Sequence, residues 1–175
     1  MKPVLLAVLL GAAWPARAEY GAPRVRVAEL DGEMRVLVAG SLAYTMRGPV
    51  TGDEFEFWPG TVIEVVAGRA VFESDVQARI IAPAGSMFRV SMAEDRGLRV
   101  TSIPGSLPVS VEVGDFALAL WQGGVLAVHD GGRLEVENGG VYRVPGGLRG
   151  AGEELAAVLP KAIAFARKKS GAPPK

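Results

Sequence analysis

Cysteine is absent from this sequence, and histidine occurs only once, at position 129. Without cysteine the chain cannot form a disulfide bond, a thiolate zinc site, an iron–sulfur cluster or a thiol nucleophile. A single histidine also excludes metal sites that need several imidazole ligands, such as the cupin site. The 19 basic and 19 acidic side chains balance to zero. This balance argues against a nucleic-acid partner, because nucleic-acid binding normally requires a basic face.

An apolar run lies at the start of the chain. Lys2 precedes an uncharged stretch from Val4 to Trp14, and Ala16-Arg17-Ala18 has the small-x-small pattern that signal peptidase accepts. The stretch is shorter than the ~20 apolar residues of a membrane-spanning helix, and no later segment is long enough either. We therefore predict a signal peptide over residues 1–18 and a periplasmic or secreted mature chain with no transmembrane segment.

The middle of the chain alternates apolar and polar residues with a period of two, which indicates half-buried β-strands. Turn-forming pairs such as Asp31-Gly32 and Ala67-Gly68 separate these runs. The pattern predicts an all-β domain over residues 19–150, built of short strands as a twisted solenoid, a sandwich or a barrel. The predicted strands cover 24–28, 34–38, 61–66, 69–73, 76–81, 87–92, 98–103, 109–113, 116–121, 125–129, 133–137 and 141–144.

A weak internal repeat bears on the choice between these architectures. Gly40, Gly60, Gly85 and Gly105 each precede Ser or Thr and then an apolar residue, at intervals of 20, 25 and 20 positions. Near-regular spacing of about 20–25 residues is what the coils of a β-solenoid produce. Because Gly-Ser is also a common turn pair, the spacing leaves both interpretations open.

Residues 54–144 resemble the FecR-type periplasmic domain. The units that carry the resemblance are Val62-Ile-Glu-Val-Val-Ala-Gly68, Arg79-Ile-Ile-Ala-Pro83-Ala-Gly85 and Leu98-Arg-Val-Thr-Ser-Ile-Pro-Gly105. The resemblance implies an all-β, twisted, solenoid-like domain in the periplasm that relays a signal from an outer-membrane receptor. The chain lacks the cytoplasmic anti-sigma segment and the transmembrane helix of the regulators that name the family. A direct role in holding a sigma factor is therefore not expected.

The C-terminal residues 151–175 are predicted to form a helix and a tail. A glycine-rich linker over 145–152 precedes a helical pattern over 153–169, with acids at its start and bases at its end, as the helix dipole favours. Pro160 is expected to kink or divide this helix. Its apolar stripe consists of Leu155, Leu159, Ile163 and Ala166. We expect the stripe to cover an open end of the β core, the alternative being a docking helix for a partner or an anionic membrane surface.

His129 and Asp130 are the first candidates for chemistry, since a His-Asp pair is part of many hydrolase sites. Adjacent residues on an extended chain point to opposite faces. The pair is therefore predicted to belong to a turn between two strands rather than to a catalytic dyad.

Acidic residues form the second group of candidates. Glu54 and Glu56 lie at i and i+2, so a strand would place both on one face. Together with Glu64 they would suit a carboxylate pair for glycoside hydrolysis or oxygen ligands for calcium. A solvated strand face explains them more simply, and the same holds for Glu135 and Glu137. We predict no catalytic residue, no cofactor and no metal site.

Three aromatic residues, Trp58, Trp121 and Tyr142, form a candidate ligand or partner surface. Such side chains stack on sugar rings or pack in a β core. The sequence therefore predicts an exported envelope protein with a non-catalytic binding or signal-relay module, whose partner is an envelope protein or a cell-wall glycan. The alternatives are a carboxylate-dependent, glycan-active enzyme and a structural subunit of a surface assembly.

Overall fold

The computed structural model describes residues 23–52 and 60–144, and within them the prediction of an all-β fold is confirmed. The predicted signal peptide and the predicted C-terminal helix lie outside these residues. The strands are β1 Val25–Val38, β2 Ser41–Arg47, β3 Val50–Thr51, β4 Val62–Ser74, β5 Ala78–Pro83, β6 Met87–Met92, β7 Leu98–Ser102, β8 Val109–Val113, β9 Phe116–Leu120, β10 Val125–Val128, β11 Leu134–Asn138 and β12 Val141–Arg143. One turn of 3₁₀ helix, Asp130–Gly132, connects β10 to β11.

Two long antiparallel strands, β1 and β4, organise the molecule. They pair from Val25 opposite Ser74 to Leu37 opposite Val62. On its other edge β4 pairs with β6 through its first residues and with β5 through its last residues. We call the strands β4-β6-β7-β10-β11, with β2 and the second half of β1, the first sheet. The second sheet is β4-β5-β8-β9-β12, with β3 and the first half of β1.

A glycine corner lies where the two sheets meet. Gly32 of β1 is opposite Gly68 of β4, and their φ angles are 113° and 71°. A Cβ atom at Gly32 would collide with the carbonyl oxygen of Ala67, and one at Gly68 with that of Asp31. Only glycine allows both strands to continue through this corner, because it accepts positive φ and close backbone approach.

The corner corrects one part of the sequence interpretation. Asp31-Gly32 and Ala67-Gly68 were expected to end strands, but β1 and β4 run through them without reversing direction. The four glycines of the internal repeat all have φ between 80° and 90°, and each lies one or two residues before a strand or a bridge residue. Their spacing therefore reflects turn chemistry. Among the architectures left open, the antiparallel pairing corresponds to a barrel-like sandwich.

A single main core fills the space between the sheets. It takes alternate residues from nearly every strand, such as Val27 and Leu30 of β1 and Val111 of β8. Phe72 of the second sheet meets Phe88 of the first edge to face, with ring centroids 5.5 Å apart and an interplanar angle of 72°. This geometry is favourable for aromatic pairs, and it joins the two sheets at the centre of the molecule.

Candidate functional site

The outer face of the second sheet carries a continuous row of small or apolar side chains. Strand register defines this outer row as Val71, Ile81, Ser110, Ala119 and Tyr142. Its members alternate along their strands with core residues such as Phe72 and Ile80, so they point away from the core. The first four are nonetheless buried, with relative exposures of 0%, 4%, 1% and 0%.

Two of the three aromatic residues of the candidate ligand surface lie at the β12 end of the outer row. Trp121 and Tyr142 are both partly buried and pack against a small cluster of Ala117, Ala119 and Val144. The backbone N–H of Trp121 donates to the Gly140 carbonyl at 2.8 Å and fixes the end of β9 beside β12. The structure thus brings these two aromatic side chains to one face. Trp58 lies outside the described residues.

The outer face of the first sheet is charged and exposed. Arg99 of β7 donates two hydrogen bonds to Glu137 of β11, at 2.6 and 2.7 Å. Arg89, at the centre of the sheet, is exposed. The hydrogen bond from Arg99 holds the pKa of the Glu137 carboxyl below its usual range. Interspersed charges of both signs are typical of a solvated surface.

Charged residues also border the outer row on the second sheet. Arg26 and Glu73 form an ion pair at 2.9 Å, and Arg79 and Glu112 form one at 3.7 Å. Arg26, Glu73 and Arg79 line a groove of about 530 Å³ near the start of β1. Because its charges are of both signs and largely paired with each other, the groove does not select an ionic ligand.

The most concentrated polar cluster surrounds His129, which we call the histidine clamp. His129 Nδ1 bonds to the Asp95 carboxylate, and Nε2 lies 3.0 Å from Glu135 Oε2. Arg133 closes the cluster by donating to Asp95 Oδ2 at 3.1 Å. The imidazole is buried, whereas side-chain exposure is 48% for Asp95 and 53% for Glu135. Each ring nitrogen faces a carboxylate oxygen, so both nitrogens have a hydrogen-bonding partner.

The local backbone explains how the clamp assembles. Asp95 lies in the β6–β7 turn, and Gly97 of that turn packs so closely on the Val128 carbonyl that a Cβ would approach it to 2.6 Å. The 3₁₀ turn after His129 is closed by the His129 N–H, which donates to the Arg133 carbonyl at 2.9 Å. These two turns bring residues from separate hairpins together. The hydrogen bond from His129 holds the pKa of Asp95 below its ordinary value.

The clamp is suited to structure rather than to catalysis. Both imidazole nitrogens are occupied by carboxylates, so neither is directed at a substrate or a metal ion. Within residues 23–52 and 60–144, no group of three histidine or acidic side chains is arranged to hold a metal ion. The prediction that His129 is not paired with Asp130 agrees with this geometry, since Asp130 accepts a hydrogen bond from the Gly131 N–H instead.

Of the acidic candidates, the structure describes Glu64, Glu135 and Glu137, and these three do not form one site. Glu64 lies on the charged outer face of the first sheet, 3.5 Å from Arg35. Glu54 and Glu56 fall outside the described residues. Glu135 and Glu137, expected on a solvated strand face, are engaged with His129 and Arg99 respectively. The hydrogen bond from Arg99 lowers the pKa of Glu137 and so stabilises its carboxylate as an anion, which does not suit the role of a general acid.

Comparison with models of known families, with curated proteins and with solved structures finds no match to this chain. None of the helices in the described part of the chain is both long and apolar enough to span a bilayer.

Sequence reasoning missed both the outer row and the histidine clamp. The outer row joins residues from five strands, and its members are recognised only when the register is known. One local signal was available: Ala117 and Ala119 alternate with Leu118 and Leu120, so β9 is apolar on both faces. A strand that is apolar on both faces is normally covered on both sides.

Proposed function

We propose that this chain is exported and acts in the bacterial envelope as a non-catalytic binding or signal-relay module of the FecR type. Support for export comes from the charged start, apolar stretch and Ala-x-Ala site of residues 1–18. The FecR-type role rests on the resemblance over residues 54–144, with which the fold agrees in being all β. The proposed partner is an envelope protein or a cell-wall glycan.

The observation that carries this proposal is the contrast between two outer faces. One carries paired, exposed charges, and the other carries small and apolar residues that end at Trp121 and Tyr142. The row itself is buried, so its accessible part is the border at Trp121 and Tyr142, which are only partly buried. Aromatic side chains at such a border contribute contact area to a protein and stacking surfaces to a sugar.

The occupied ring nitrogens of His129 and the ion pairs of Glu64 and Glu137 favour a binding module over an enzyme. A carboxylate-dependent glycosidase needs one carboxylic acid with a raised pKa and a second carboxylate about 5–10 Å away. The shift described above for Glu137 is in the opposite direction. The glycan-active enzyme therefore ranks below a binding module.

The proposal is tested by a pull-down from envelope extract with residues 19–175 as bait, run beside co-sedimentation with purified sacculi. Trp121→Ala and Tyr142→Ala are expected to weaken the interaction by about ten-fold each, the effect of removing a buried aromatic contact. Phe116→Ala is the matched control, because Phe116 is 52% exposed and lies on the opposite face of β9.

A specific protein band that both aromatic substitutions abolish would support a relay or scaffold role. Sedimentation with sacculi that the same substitutions abolish would support glycan binding. Binding that is unchanged in both variants, or turnover of a glycan substrate by the unmodified chain, would contradict the proposal.

A further inference from the structure

The outer row is buried in a way that the sheet itself does not explain. Val71, at 0% exposure, faces away from the core, and neither it nor Ile81 belongs to either cluster of packed apolar residues in the described part. Arg89, which has the corresponding central outward position on the first sheet, is exposed. The second sheet therefore has a cover on its outer side that the first sheet lacks.

Ser110 gives an independent indication of that cover. Its exposure is 1%, and its Oγ has no hydrogen-bond partner among the described residues. An outward-facing hydroxyl on a bare sheet would be solvated, whereas a buried hydroxyl without a partner is unfavourable. A chain segment lying over β8 would both exclude water from Ser110 and offer it an acceptor.

We propose that the C-terminal segment, residues 153–169, lies as a helix across the outer row and covers the second sheet. This inference does not rest on the proposed function. In this arrangement the apolar stripe of the segment packs on the side of the sandwich, and not on its open end as the sequence predicted.

The course of the chain fits this placement. Val144, the last described residue, is buried on the outer face, where its N–H donates to the Ala117 carbonyl at 2.8 Å. From there the linker over 145–152 reaches up to about 26 Å when extended. A helix over 153–169 is about 25 Å long when straight, and the kink expected at Pro160 shortens this span. The five strands from β12 to β4 span about 19 Å, so the helix is long enough to cross all of them.

The chemistry of the two surfaces is complementary. The stripe supplies three large apolar side chains, Leu155, Leu159 and Ile163, and the small Ala166 on one face of the segment. The outer row supplies small side chains, above all Ser110 and Ala119, which let a helix approach the sheet closely. Burial of such a stripe contributes about 25 cal/mol per Å² of apolar surface, which favours docking of a tethered segment.

The proposal is tested by chemical labelling of introduced cysteines. Because the chain has no cysteine of its own, each substitution creates the only thiol in the protein. Ser110→Cys places a thiol under the proposed helix, and Arg89→Cys places one at the matched position of the open sheet. In the chain 19–175 we expect a maleimide to label Arg89→Cys rapidly and Ser110→Cys slowly. Removal of residues 145–175 should accelerate labelling of Ser110→Cys by about ten-fold or more, as expected when local protection is lost, and leave Arg89→Cys unchanged.

Point variants keep the test decisive if the truncated chain does not fold. Leu159→Asp places a charge in the stripe and should also accelerate labelling of Ser110→Cys. Ala157→Asp is the control, because it lies on the opposite face of the predicted helix and on the same side of Pro160. Circular dichroism confirms that each variant keeps its strands.

Three results would overturn the proposal. The first is equal labelling of Ser110→Cys in the presence and absence of residues 145–175, or in Leu159→Asp and Ala157→Asp. The second is labelling of Ser110→Cys in the full chain as rapid as that of Arg89→Cys, which would mean an open face. The third is protection that disappears on dilution, which would mean that a second copy covers the row.

Discussion

The two sheets of this molecule share one core but differ on their outer faces. On the first sheet the outward positions carry Arg89, Arg99 and Glu64, and their charges are paired across strands or solvated. On the second sheet the corresponding positions carry Val71, Ile81, Ser110 and Ala119, and all four are buried. An antiparallel sheet is stable with one face in water. The burial of outward side chains on the second sheet is typical of a sheet that is covered on both faces.

This difference shows where the molecule's interactions beyond its core are concentrated. The first sheet stabilises itself through cross-strand ion pairs, and the histidine clamp joins its hairpin tips. The second sheet has its charges at a border, and its centre requires a cover. A partner or a further segment of the chain therefore has a physical reason to bind the second sheet.

The largest expected effect comes from the corner that joins the two sheets. Gly68→Ala should cost more than about 4 kcal/mol of the free energy of unfolding, because the new Cβ collides with the Asp31 carbonyl inside a continuous strand. Gly40→Ala is the control: its φ of 80° is also positive, but nothing lies within 4 Å of the added atom. It should cost about 1–2 kcal/mol. Urea unfolding measures both, and equal costs would mean that the corner is not sterically constrained.

The comparison between the faces is tested by the same substitution on each sheet. Val71→Asp should lower the free energy of unfolding by about 3 kcal/mol, because it buries an unpaired charge. Val66→Asp, at an outward position in the first half of β4, should change the free energy of unfolding by about 0.5 kcal/mol or less, since Val66 is 38% exposed. Thermal and urea unfolding report the two values. If the two variants are equally stable, the outer row is open to water and the contrast between the sheets is lost.

The histidine clamp gives a smaller effect, confined to the first sheet. His129→Asn should lower the free energy of unfolding by about 2 kcal/mol, because hydrogen bonds to charged partners are lost and two carboxylates are left facing each other. Asp130→Asn, one residue away and exposed, should be neutral within about 0.5 kcal/mol. A neutral His129→Asn would show that the clamp does not stabilise the hairpin tips.

The smallest effect is the pH dependence of the Arg99–Glu137 pair. The pKa of the Glu137 carboxyl is lower in the folded chain than in the unfolded chain. The pair therefore contributes stability above the unfolded pKa of about 4.3, and this is lost as the pH falls through the folded pKa. Glu137→Gln should cost about 0.5–1 kcal/mol at pH 7 and reduce the slope of stability against pH below about pH 4.

Arg99→Gln removes the other partner of the same pair, so it should reduce the acid slope to the same extent. The double variant should then show little further change. Independent, additive losses in the two single variants would mean that Glu137 owes its acid sensitivity to other neighbours.

Sequence reasoning located most strands because alternation along β5 to β11 is regular and the turns are marked by glycine, asparagine and aspartate. It divided β1 and β4 wrongly, since Gly32 and Gly68 resemble turn residues when read locally. Their role depends on each residue facing the other across two strands, a relation that no window of sequence contains. The strand β2 was also missed, because its exposed residues do not alternate clearly.

For the candidate site too, part was predicted from the sequence and part was revealed only by the fold. Trp121 and Tyr142 were recognised as a potential surface from residue type alone, and register brings them together on one face. His129 was correctly separated from Asp130. Its partners, however, come from a turn 34 positions earlier and from the next strand. Contacts at such separation arise from strand pairing, so only the fold reveals them.

What the sequence by itself determined is the β periodicity, the exclusion of thiol and multi-histidine chemistry, and the amphipathic character of residues 153–169. These properties follow from residue type and short-range spacing. The tertiary structure decided that two long strands turn a corner and build a barrel-like sandwich, that one histidine lies between two carboxylates, and that the sheets differ outside. The physical reason is register: which side chains share a face depends on how strands pair, and a shift of one residue would reverse every face.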